Sequence, residues 1–514
     1  MGLIYRVYAL ICTIIDHLIY CGFGLYFNSK RKYIPSVSNK ILLESATSLA
    51  LKIRNKEIKS FYVVESFINR IKEVNPILNA VVDERFNEAL KEAKRIDENI
   101  ANGAISQEEF NKKPFLGVPF TTKETTACEG LSWSFGIICR RHIKSTFDAT
   151  IIELIKNSGG ILLAVTNVPQ LNLWTETYNP IYGVTNNPYN TTKNVGGSSG
   201  GEASLIAACG SPFGLGTDIA GSIRIPCFRC GIFGHKTSSD IITTKGLTFR
   251  EGTEGPTMVV SGPMTKHAQD LLPLLKVLVG KSDKLSLDVK VEMKKIKIFY
   301  ISEIESFLSS PIGLEIKYAI KRCVQHFEEI CEKKPEEIEL KNLECGFKLW
   351  SYMMTKEKSD FKSDIMNRKD EAFWLGELFK YFLGKSKFNF YTIMNLINGK
   401  LPKPKPEWGE KVLNDLKQNL IALLGTNSVL LFPSEAFAAN YHYTSTLRPY
   451  NITHYALWSA LKFPVTQVPL GLNAEGMPIG VQVVGAPYQD HLTIAVAVEL
   501  EKVFGGYVAP FQIN

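Results

Sequence analysis

The chain begins with an apolar stretch that differs from everything after it. Residues 3–27 read LIYRVYALICTIIDHLIYCGFGLYF, which is long enough to span a bilayer because about 20 apolar residues suffice. Asp16 and His17 interrupt the stretch, and a basic run follows it at 30–32. This pattern predicts a membrane anchor over residues 1–30. The basic flank places the body on the cytoplasmic side by the positive-inside rule.

Two other interpretations of the apolar stretch stay open. A helix that lies in the membrane interface would keep Asp16 and His17 on its wet side. A helix that packs into the body as part of the core would need no membrane at all. No small-residue cleavage site follows the stretch, so a removed signal peptide fits the pattern less well.

After the anchor segment, the hydrophobic pattern alternates between helical and strand periods. From 42 to 102, apolar positions recur at spacings of three and four, which predicts helices. The segments 116–123 and 161–165 predict strands on either side of a helix, and 213–218 and 428–432 predict further buried strands. The alternation of strand, helix and strand indicates an α/β fold.

One region within the body has a different composition. Residues 282–425 are rich in Lys and Glu and contain amphipathic helical patterns such as 316–331. No catalytic constellation is found there, so we expect this variable, mostly helical region to be structural and to help shape a substrate channel. It is placed inside a single catalytic domain over residues 40–510.

Charge and cysteine content exclude several classes of protein. The net charge is +8, from 59 basic and 51 acidic residues in 514. The basic residues are scattered rather than clustered with aromatics, which disfavours nucleic-acid binding but allows weak attraction to an anionic membrane. The ten cysteines are expected to be reduced thiols. Cys227 and Cys230 form a CxxC that lacks a second ligand pair, so we expect no metal site.

Three short segments concentrate the residue types that chemistry needs. They are 121–124, 196–201 and 216–224. Serines in glycine-rich turns approach a substrate closely, and free backbone N–H groups there can face an anion. A serine also needs a base to become a nucleophile. The alternative is that these glycine-rich segments are tight turns without chemistry. The presence of two such segments together with a strand that ends in a lysine disfavours that alternative.

A histidine-based triad is the other candidate for serine activation. The segment 196–200 matches GxSxG, but that motif requires a buried strand directly before the serine, and 189–194 is polar. None of the candidate histidines stands in a recognisable triad pattern; they are His235, His442, His454 and His491. The sequence therefore disfavours a histidine base.

The chemistry-bearing segments resemble the signature of the amidase signature family. GGSSGGE at 196–202 is followed by GTDIAGSIRIP at 216–226, and GVPFTTKE at 117–124 resembles the family's lysine segment. Ser222 stands 24 residues after Ser198, which is the spacing of the family's two serines. The resemblance thus rests on three matched segments rather than on one short motif.

This resemblance extends over residues 42–508 and is weakest over 282–425. Within the family, the chain most resembles the fatty-acid amide hydrolase 2-like proteins. The features that support this resemblance are residues 166–190, Glu202, GIFGHK at 231–236 and the apolar N-terminus. It implies an α/β amidase-signature fold. That fold has a central twisted mixed β-sheet flanked by helices on both faces, here preceded by an N-terminal apolar helix.

The family's catalytic residues correspond to three positions of this chain. Lys123 matches the lysine base, Ser198 the bridging serine that follows a cis peptide bond, and Ser222 the acyl-forming serine. A lysine acts as a base only when neutral. Its pKa must then fall from ~10.4 toward about 7–8, which requires burial without a salt-bridge partner. Glu124 is adjacent in sequence, but a strand directs it to the opposite face.

The second glycine-rich segment corresponds to the family's oxyanion hole. Its backbone N–H donors belong to Ile219, Ala220, Gly221 and Ser222. Many members have glycine where this chain has Ala220, and the alanine supplies the same N–H if its φ is negative. Asp218 and Arg224 are expected to support the loop rather than react. Trp174 and Tyr178 are candidates for lining the substrate pocket, with ordinary core packing the equal alternative.

The resemblance implies a serine hydrolase that cleaves carboxylic amides, or alternatively esters, of hydrophobic acyl groups such as fatty-acid amides. It implies no metal and no organic cofactor, and by analogy it allows a membrane-bound homodimer. One rival function is a glutamine amidotransferase-type amidase subunit, which the apolar N-terminus disfavours. The other is an inactive, membrane-tethered binding protein on the same fold, which the intact Lys123, Ser198 and Ser222 disfavour.

Overall fold

A large mixed β-sheet runs through the computed structural model, which describes residues 2–249, 257–280 and 283–514. The strands found in those ranges are β1 (Val81–Glu84), β2 (Pro119–Lys123), β3 (Ile161–Thr166), β4 (Tyr178–Asn179), β5 (Gly183–Val184), β6 (Phe213–Asp218), β7 (Phe233–Lys236), β8 (Val260–Thr265), β9 (Lys297–Tyr300), β10 (Glu336–Glu337), β11 (Ser428–Pro433), β12 (Val465–Leu472) and β13 (Pro478–Gly485). All except β4 and β5 join one sheet, in the order β1-β3-β2-β6-β8-β7-β12-β13-β11-β9-β10.

Helices cover both faces of this sheet. Over the described residues they are α1 (Gly2–Phe27), α2 (Ala46–Arg54), α3 (Ser60–Leu78), α4 (Phe86–Ala101), α5 (Gln107–Lys112), α6 (Thr150–Asn157), α7 (Gly200–Ala207), α8 (Arg224–Arg229), α9 (Leu271–Val279), α10 (Leu314–Ile330), α11 (Gly346–Met354), α12 (Phe361–Asp364), α13 (Trp374–Phe382), α14 (Phe390–Asn398), α15 (Pro406–Leu424), α16 (Thr453–Leu461) and α17 (Asp490–Phe504). Strands β2, β3, β6 and β11 are buried along their whole length. This explains why β3 and β11 are nearly continuous apolar runs rather than alternating patterns.

The pairing of three neighbouring strands brings distant segments of the chain to one edge of the sheet. Strand β2 lies parallel to β3, with Lys123 opposite Thr166, and parallel to β6, with Thr122 opposite Leu215. The carboxyl ends of parallel strands lie at the same edge. Lys123 and Asp218, the last residues of β2 and β6, therefore lie on the same side of the molecule.

The hydrophobic core has more than one centre. The largest cluster of buried side chains fills both sides of the sheet. A second cluster surrounds Trp458 of α16, whose ring meets Phe432 of β11 edge-on with 4.8 Å between centroids. A third, smaller cluster packs α12 and α14 against the segment around Phe135 and Leu171. The Lys- and Glu-rich region thus supplies helices to the second and third clusters.

The structure confirms the expected fold class of a mixed sheet with helices and an N-terminal apolar helix. The strand at 213–218 has the expected bounds, and the helical pattern at 316–331 is α10. The helical pattern expected over 42–102 is found as α2, α3 and α4 but is wrong at 81–84, where β1 adds an antiparallel edge strand to β3. A four-residue strand is too short to break a helical period in the sequence.

Helix α1 forms over the apolar N-terminal stretch. The segment Ile4–Lys30 is long and apolar enough to cross a membrane, and only 6% of its most apolar window is buried in the protein. A helix belonging to the core would be mostly buried, so this low burial does not fit the core interpretation.

Candidate active site

The side chain of Lys123 is the centre of a buried polar cluster at the end of β2. The lysine is fully buried. Its Nζ lies 2.7 Å from Ser198 Oγ and 2.9 Å from Thr217 Oγ1. Lys123 and Thr217 come from the parallel strands β2 and β6, and Ser198 comes from the loop before α7. The amine is therefore surrounded by hydroxyl groups.

Burial in this position changes the protonation of the lysine. Desolvation lowers the pKa of Lys123 to about 7, although the carboxylates of Asp218, Glu202 and Glu124 oppose the shift. No carboxylate among the described residues forms an ion pair with Nζ, whose partners are hydroxyls. The neutral amine is therefore well populated near neutral pH, as the lysine-base hypothesis requires.

Each neighbouring carboxylate has partners of its own. Glu124 follows the last residue of β2 and accepts backbone N–H groups from Ser134 and Phe135. Glu202 accepts hydroxyl hydrogen bonds from Thr121 and Thr166. Burial raises the pKa of each of these two carboxyls to about 7. Neither one forms an ion pair with the lysine amine within the described residues.

The two serines of the signature lie on adjacent loops. A cis peptide bond joins Gly197 to Ser198, as the resemblance implies. The N–H of Ser199 donates to the carbonyl of Ser222 across 3.1 Å, which fixes one loop against the other. Ser198 is 1% exposed and Ser222 is 8% exposed. No hydrogen bond links the two serine hydroxyls among the described residues, so the structure places them on neighbouring segments without a direct bond.

Asp218 holds the loop that contains Ser222. Burial opposes its ionisation, but the adjacent Arg224 outweighs burial and lowers the pKa of Asp218 to about 2. The Arg224 guanidinium lies 3.0 Å from the carboxylate, and both side chains are inaccessible to solvent. The same carboxylate accepts the N–H of Gly221 at 2.7 Å and that of Ile223 at 3.2 Å. Both residues therefore support the loop, as expected.

The backbone N–H groups of this loop are not all equally available. The Gly221 N–H is bonded to Asp218. Over the described part of the chain, no protein acceptor is found for the N–H of Ile219, Ala220 or Ser222. Ala220 does not have a positive φ. The alanine can therefore supply the same backbone N–H as the glycine found in other family members. Three of the four candidate donors are thus free to face an anion.

Glycine is required at one position of the loop. Gly221 has φ +115°, and a Cβ built there would lie 2.6 Å from the Cβ of Tyr455 on α16. L residues other than glycine rarely adopt such a φ. Arg224 also donates to the Tyr455 carbonyl and to Ser459 Oγ, each at 3.0 Å. Helix α16 therefore forms the support under the loop.

Sequence reasoning did not identify two side chains that contact this site. Thr217 belongs to the matched signature segment, so its contact with Lys123 could have been anticipated from the motif. Trp350 on α11 donates from Nε1 to the Ile219 carbonyl at 2.9 Å. It lies in the region expected to be structural, and no motif marks it.

The alternative bases and ligands lie elsewhere in the structure. None of the four candidate histidines forms a hydrogen bond with Ser198 or Ser222 within the described ranges; instead His235 bonds Thr466 and Asp490, and His442 bonds the Thr191 carbonyl. Cys227 is a buried thiol in α8, and Cys230 is a buried thiol directly after that helix. The geometry agrees with the sequence in favouring lysine.

Aromatic side chains extend from the serine loops toward the helical region. The ring of Trp174 stacks on Tyr391 of α14, with centroids 4.5 Å apart. Tyr178 meets Tyr443 edge-on at 6.2 Å. The backbone of Trp174 approaches Gly197 so closely that a Cβ there would lie 2.4 Å from its carbonyl. Trp174 and Tyr178 are both half-buried. Their role in lining a substrate pocket therefore stays a prediction.

Comparison with known proteins now identifies the class. The family model described as Amidase matches residues 62–494, so the chain belongs to the amidase family and is an amidohydrolase. Fatty-acid amide hydrolase 2 of Homo sapiens is 40% identical over 486 residues, covering 92% of this chain and 91% of that protein. Fatty-acid amide hydrolase 2-A of Danio rerio is 39% identical, covering 96% and 95%.

Solved structures support the same fold. A structure of fatty acid amide hydrolase superposes with a TM-score of 0.72 at 21% identity, covering 92% of this chain and 86% of that chain. At this identity the likeness establishes the fold alone. The resemblance to fatty-acid amide hydrolase 2-like proteins is therefore confirmed by the sequence relatives, and the amidase-signature fold by the structure.

We predict that Gly221→Ala lowers amide hydrolysis by at least about tenfold, because the added Cβ clashes with Tyr455 and displaces the loop amides. Ala220→Gly is the matched control and should retain most of the activity, since both residues supply an N–H. Turnover of a chromogenic amide and circular dichroism of both variants test this. A fully active Gly221→Ala enzyme would show that the loop geometry is not required.

Proposed function

We propose that this amidohydrolase cleaves amides, and secondarily esters, of hydrophobic acyl groups such as fatty-acid amides, through an acyl-enzyme on Ser222. Lys123 is the base and Ser198 relays the proton. One observation supports this most strongly: a fully buried amine lies 2.7 Å from the Ser198 hydroxyl and has hydroxyls rather than carboxylates as partners. Such a lysine has no evident structural use as a cation.

The proposed reaction begins with proton transfer. Neutral Lys123 accepts the proton of Ser198 Oγ, which in turn accepts the proton of Ser222 Oγ as that oxygen attacks the substrate carbonyl. The N–H groups of Ile219, Ala220 and Ser222 stabilise the oxyanion, each contributing roughly 3 kcal/mol by comparison with other hydrolases. The proton returns through Ser198 to the leaving amine. Water then cleaves the acyl-enzyme by the same relay, and no step requires a metal or an organic cofactor.

The proposed substrate class rests on three observations. Two relatives named fatty-acid amide hydrolase 2 align with the chain along nearly its full length. The half-buried side chains of Trp174 and Tyr178, with the buried Tyr391 stacked on Trp174, provide an apolar surface beside the serine loops. Helix α1 is long and apolar enough to associate with a membrane, where hydrophobic acyl substrates concentrate. We include membrane association, with the body on the cytoplasmic side, in the proposal.

We predict that Ser222→Ala abolishes both labelling by a fluorophosphonate probe and release of fatty acid from a long-chain primary amide. Ser199→Ala is the matched control: Ser199 Oγ is buried and has no hydrogen-bond partner in the described part of the chain, so both signals should persist. Full labelling of Ser222→Ala would exclude it as the nucleophile.

The same experiment separates the rival functions. Labelling without fatty-acid release would keep the hydrolase and move the substrate to esters or shorter acyl groups. Release by the purified chain alone excludes a subunit that depends on amidotransferase partners. A folded wild-type protein that takes up no probe would favour the inactive, membrane-tethered binding protein.

We also predict that kcat/KM rises as pH increases through about 7 and then levels off, because only the neutral form of Lys123 accepts a proton and burial lowers its pKa to about 7. Lys123→Ala should reduce turnover by about 10²–10⁴-fold. Lys193→Met is the control: burial also lowers the pKa of Lys193 to about 7, but it lies beside Tyr441 rather than the serines. A pH profile that follows Lys193 instead would overturn the assignment.

A further inference from the structure

Helix α1 is attached to the body along its whole length. Near its start, the Tyr8 hydroxyl donates to the Phe307 carbonyl at 2.7 Å. At its middle, Asp16 forms an ion pair of 2.6 Å with Arg448. At its end, the ring of Phe27 stacks on Tyr441 with centroids 5.8 Å apart. At 1.5 Å per residue, these contacts cover most of a helix about 39 Å long.

The ion pair between Asp16 and Arg448 explains why an acidic residue lies in the middle of the apolar helix. An aspartate in the middle of an apolar segment is unfavourable in a bilayer. Here Asp16 faces the body, and Tyr20, on the same side, donates to Glu475 while Lys193 lies 3.9 Å above its ring. Detaching the helix to span a membrane would remove the partners of both Asp16 and Tyr20.

The remaining surface of α1 is divided into two faces. At 100° per residue, one flank carries Arg6, Thr13 and His17, all exposed. The other is an apolar face that points away from the body, in which Ile4 is 70% and Leu25 is 90% exposed. Its members are Ile4, Val7, Leu10, Ile11, Ile14, Ile15, Leu18 and Leu25.

The surroundings of α1 extend this apolar face onto the body. Phe307 and Leu308 are exposed beside its first turns, and Leu447 is exposed next to Arg448 at its middle. Exposed Lys30, Arg31 and Lys32 follow its end. Apolar side chains bordered by cations and tyrosines match the layered chemistry of a bilayer surface, where acyl chains lie beneath anionic headgroups.

From this arrangement we infer that α1 lies flat in one leaflet as part of the body's membrane-binding face, and does not span the bilayer. The apolar face enters the acyl region, and the Arg6–His17 flank faces water. A helix held by the body at both ends cannot place those ends on opposite sides of a membrane. This inference rests on the membrane association included in the proposed function and specifies its geometry.

Two adjacent residues provide the test. His17→Cys and Leu18→Cys are placed singly in a full-length background in which the exposed and half-exposed cysteines are serine, namely Cys12, Cys21, Cys139, Cys331 and Cys345. Each protein is bound to sealed phosphatidylcholine–phosphatidylserine vesicles and treated with a membrane-impermeant maleimide. We expect His17→Cys to label as fully as denatured protein and Leu18→Cys to be protected, with both proteins floating with the vesicles.

The other outcomes overturn different statements. Protection at both positions in floating protein would show a spanning helix and refute the flat geometry while keeping membrane association. Labelling at both positions without flotation would refute membrane association itself. Protection of Leu18→Cys without flotation would show that a protein surface, such as a second copy of the chain, covers the apolar face in place of lipid.

A second, independent observation concerns Trp350 of α11. Its Nε1–H donates to the Ile219 carbonyl at 2.9 Å. That carbonyl and the Ala220 N–H belong to one planar trans peptide unit, in which C=O and N–H point in opposite directions. Anchoring the carbonyl on one side therefore fixes the direction of the N–H on the other. Helix α11 is itself held against α16, where Gly346 packs closely on the Thr453 carbonyl.

We infer that Trp350 is a positioning residue that aims the Ala220 N–H at the oxyanion, which rests on the proposed role of the loop amides. Trp350→Phe should lower kcat about tenfold with KM unchanged, because one oriented donor is loosened but not removed. Trp408→Phe is the control, since Trp408 packs against the same core cluster and, in the described part of the chain, forms no hydrogen bond with the loop.

A readout beyond activity separates positioning from packing. The affinity of Trp350→Phe for an acyl trifluoromethyl ketone, which forms a tetrahedral adduct, should fall by the same factor as kcat, while affinity for the corresponding carboxylate should not change. Equal losses for both ligands, or an unchanged kcat, would refute the positioning role. If Ser222→Ala were active, the proposed mechanism would fail instead, whatever the behaviour of Trp350.

Discussion

The site depends on a lysine amine that is buried without a carboxylate partner. Three acidic side chains lie close enough to raise the pKa of Lys123, yet desolvation dominates. Each of those acids is bound elsewhere: Asp218 to Arg224, Glu124 to backbone amides and Glu202 to threonine hydroxyls. A single rearranged carboxylate would convert the proposed base into an ordinary buried ion pair. Much of the surrounding hydrogen bonding can be understood as keeping these acids away from the amine.

The Asp218–Arg224 pair connects this requirement to the rest of the fold. Arg224 also bonds Gln482 of β13 and two groups of α16. Removing one partner of a buried pair leaves an uncompensated charge, which commonly costs about 3–5 kcal/mol. The loop that contains Ser222 is thereby tied to a distant strand and to the second core cluster. Rigidity there suits a loop whose amides must keep a fixed direction.

The Lys- and Glu-rich region contributes more than its composition indicates. It supplies α11, which places Trp350 against the loop carbonyl, and α14, which places Tyr391 against Trp174. Helix α1, at the opposite end of the sequence, is held by residues far along the chain, among them Ile304 and Glu475. Segments without catalytic motifs thus form both the support and the apolar surroundings of the site.

The sequence by itself determined the α/β class, located the three segments of the candidate site and favoured lysine over histidine as the proposed base, because these depend on local patterns and on motifs with fixed spacing. It did not reveal the partner of Asp16, the engagement of the Gly221 N–H by Asp218 or the contact made by Trp350. Each of these joins residues that are brought together only by folding or by the local loop path. The tertiary structure alone decided them, since one hydrogen bond between distant segments imposes no periodicity on either.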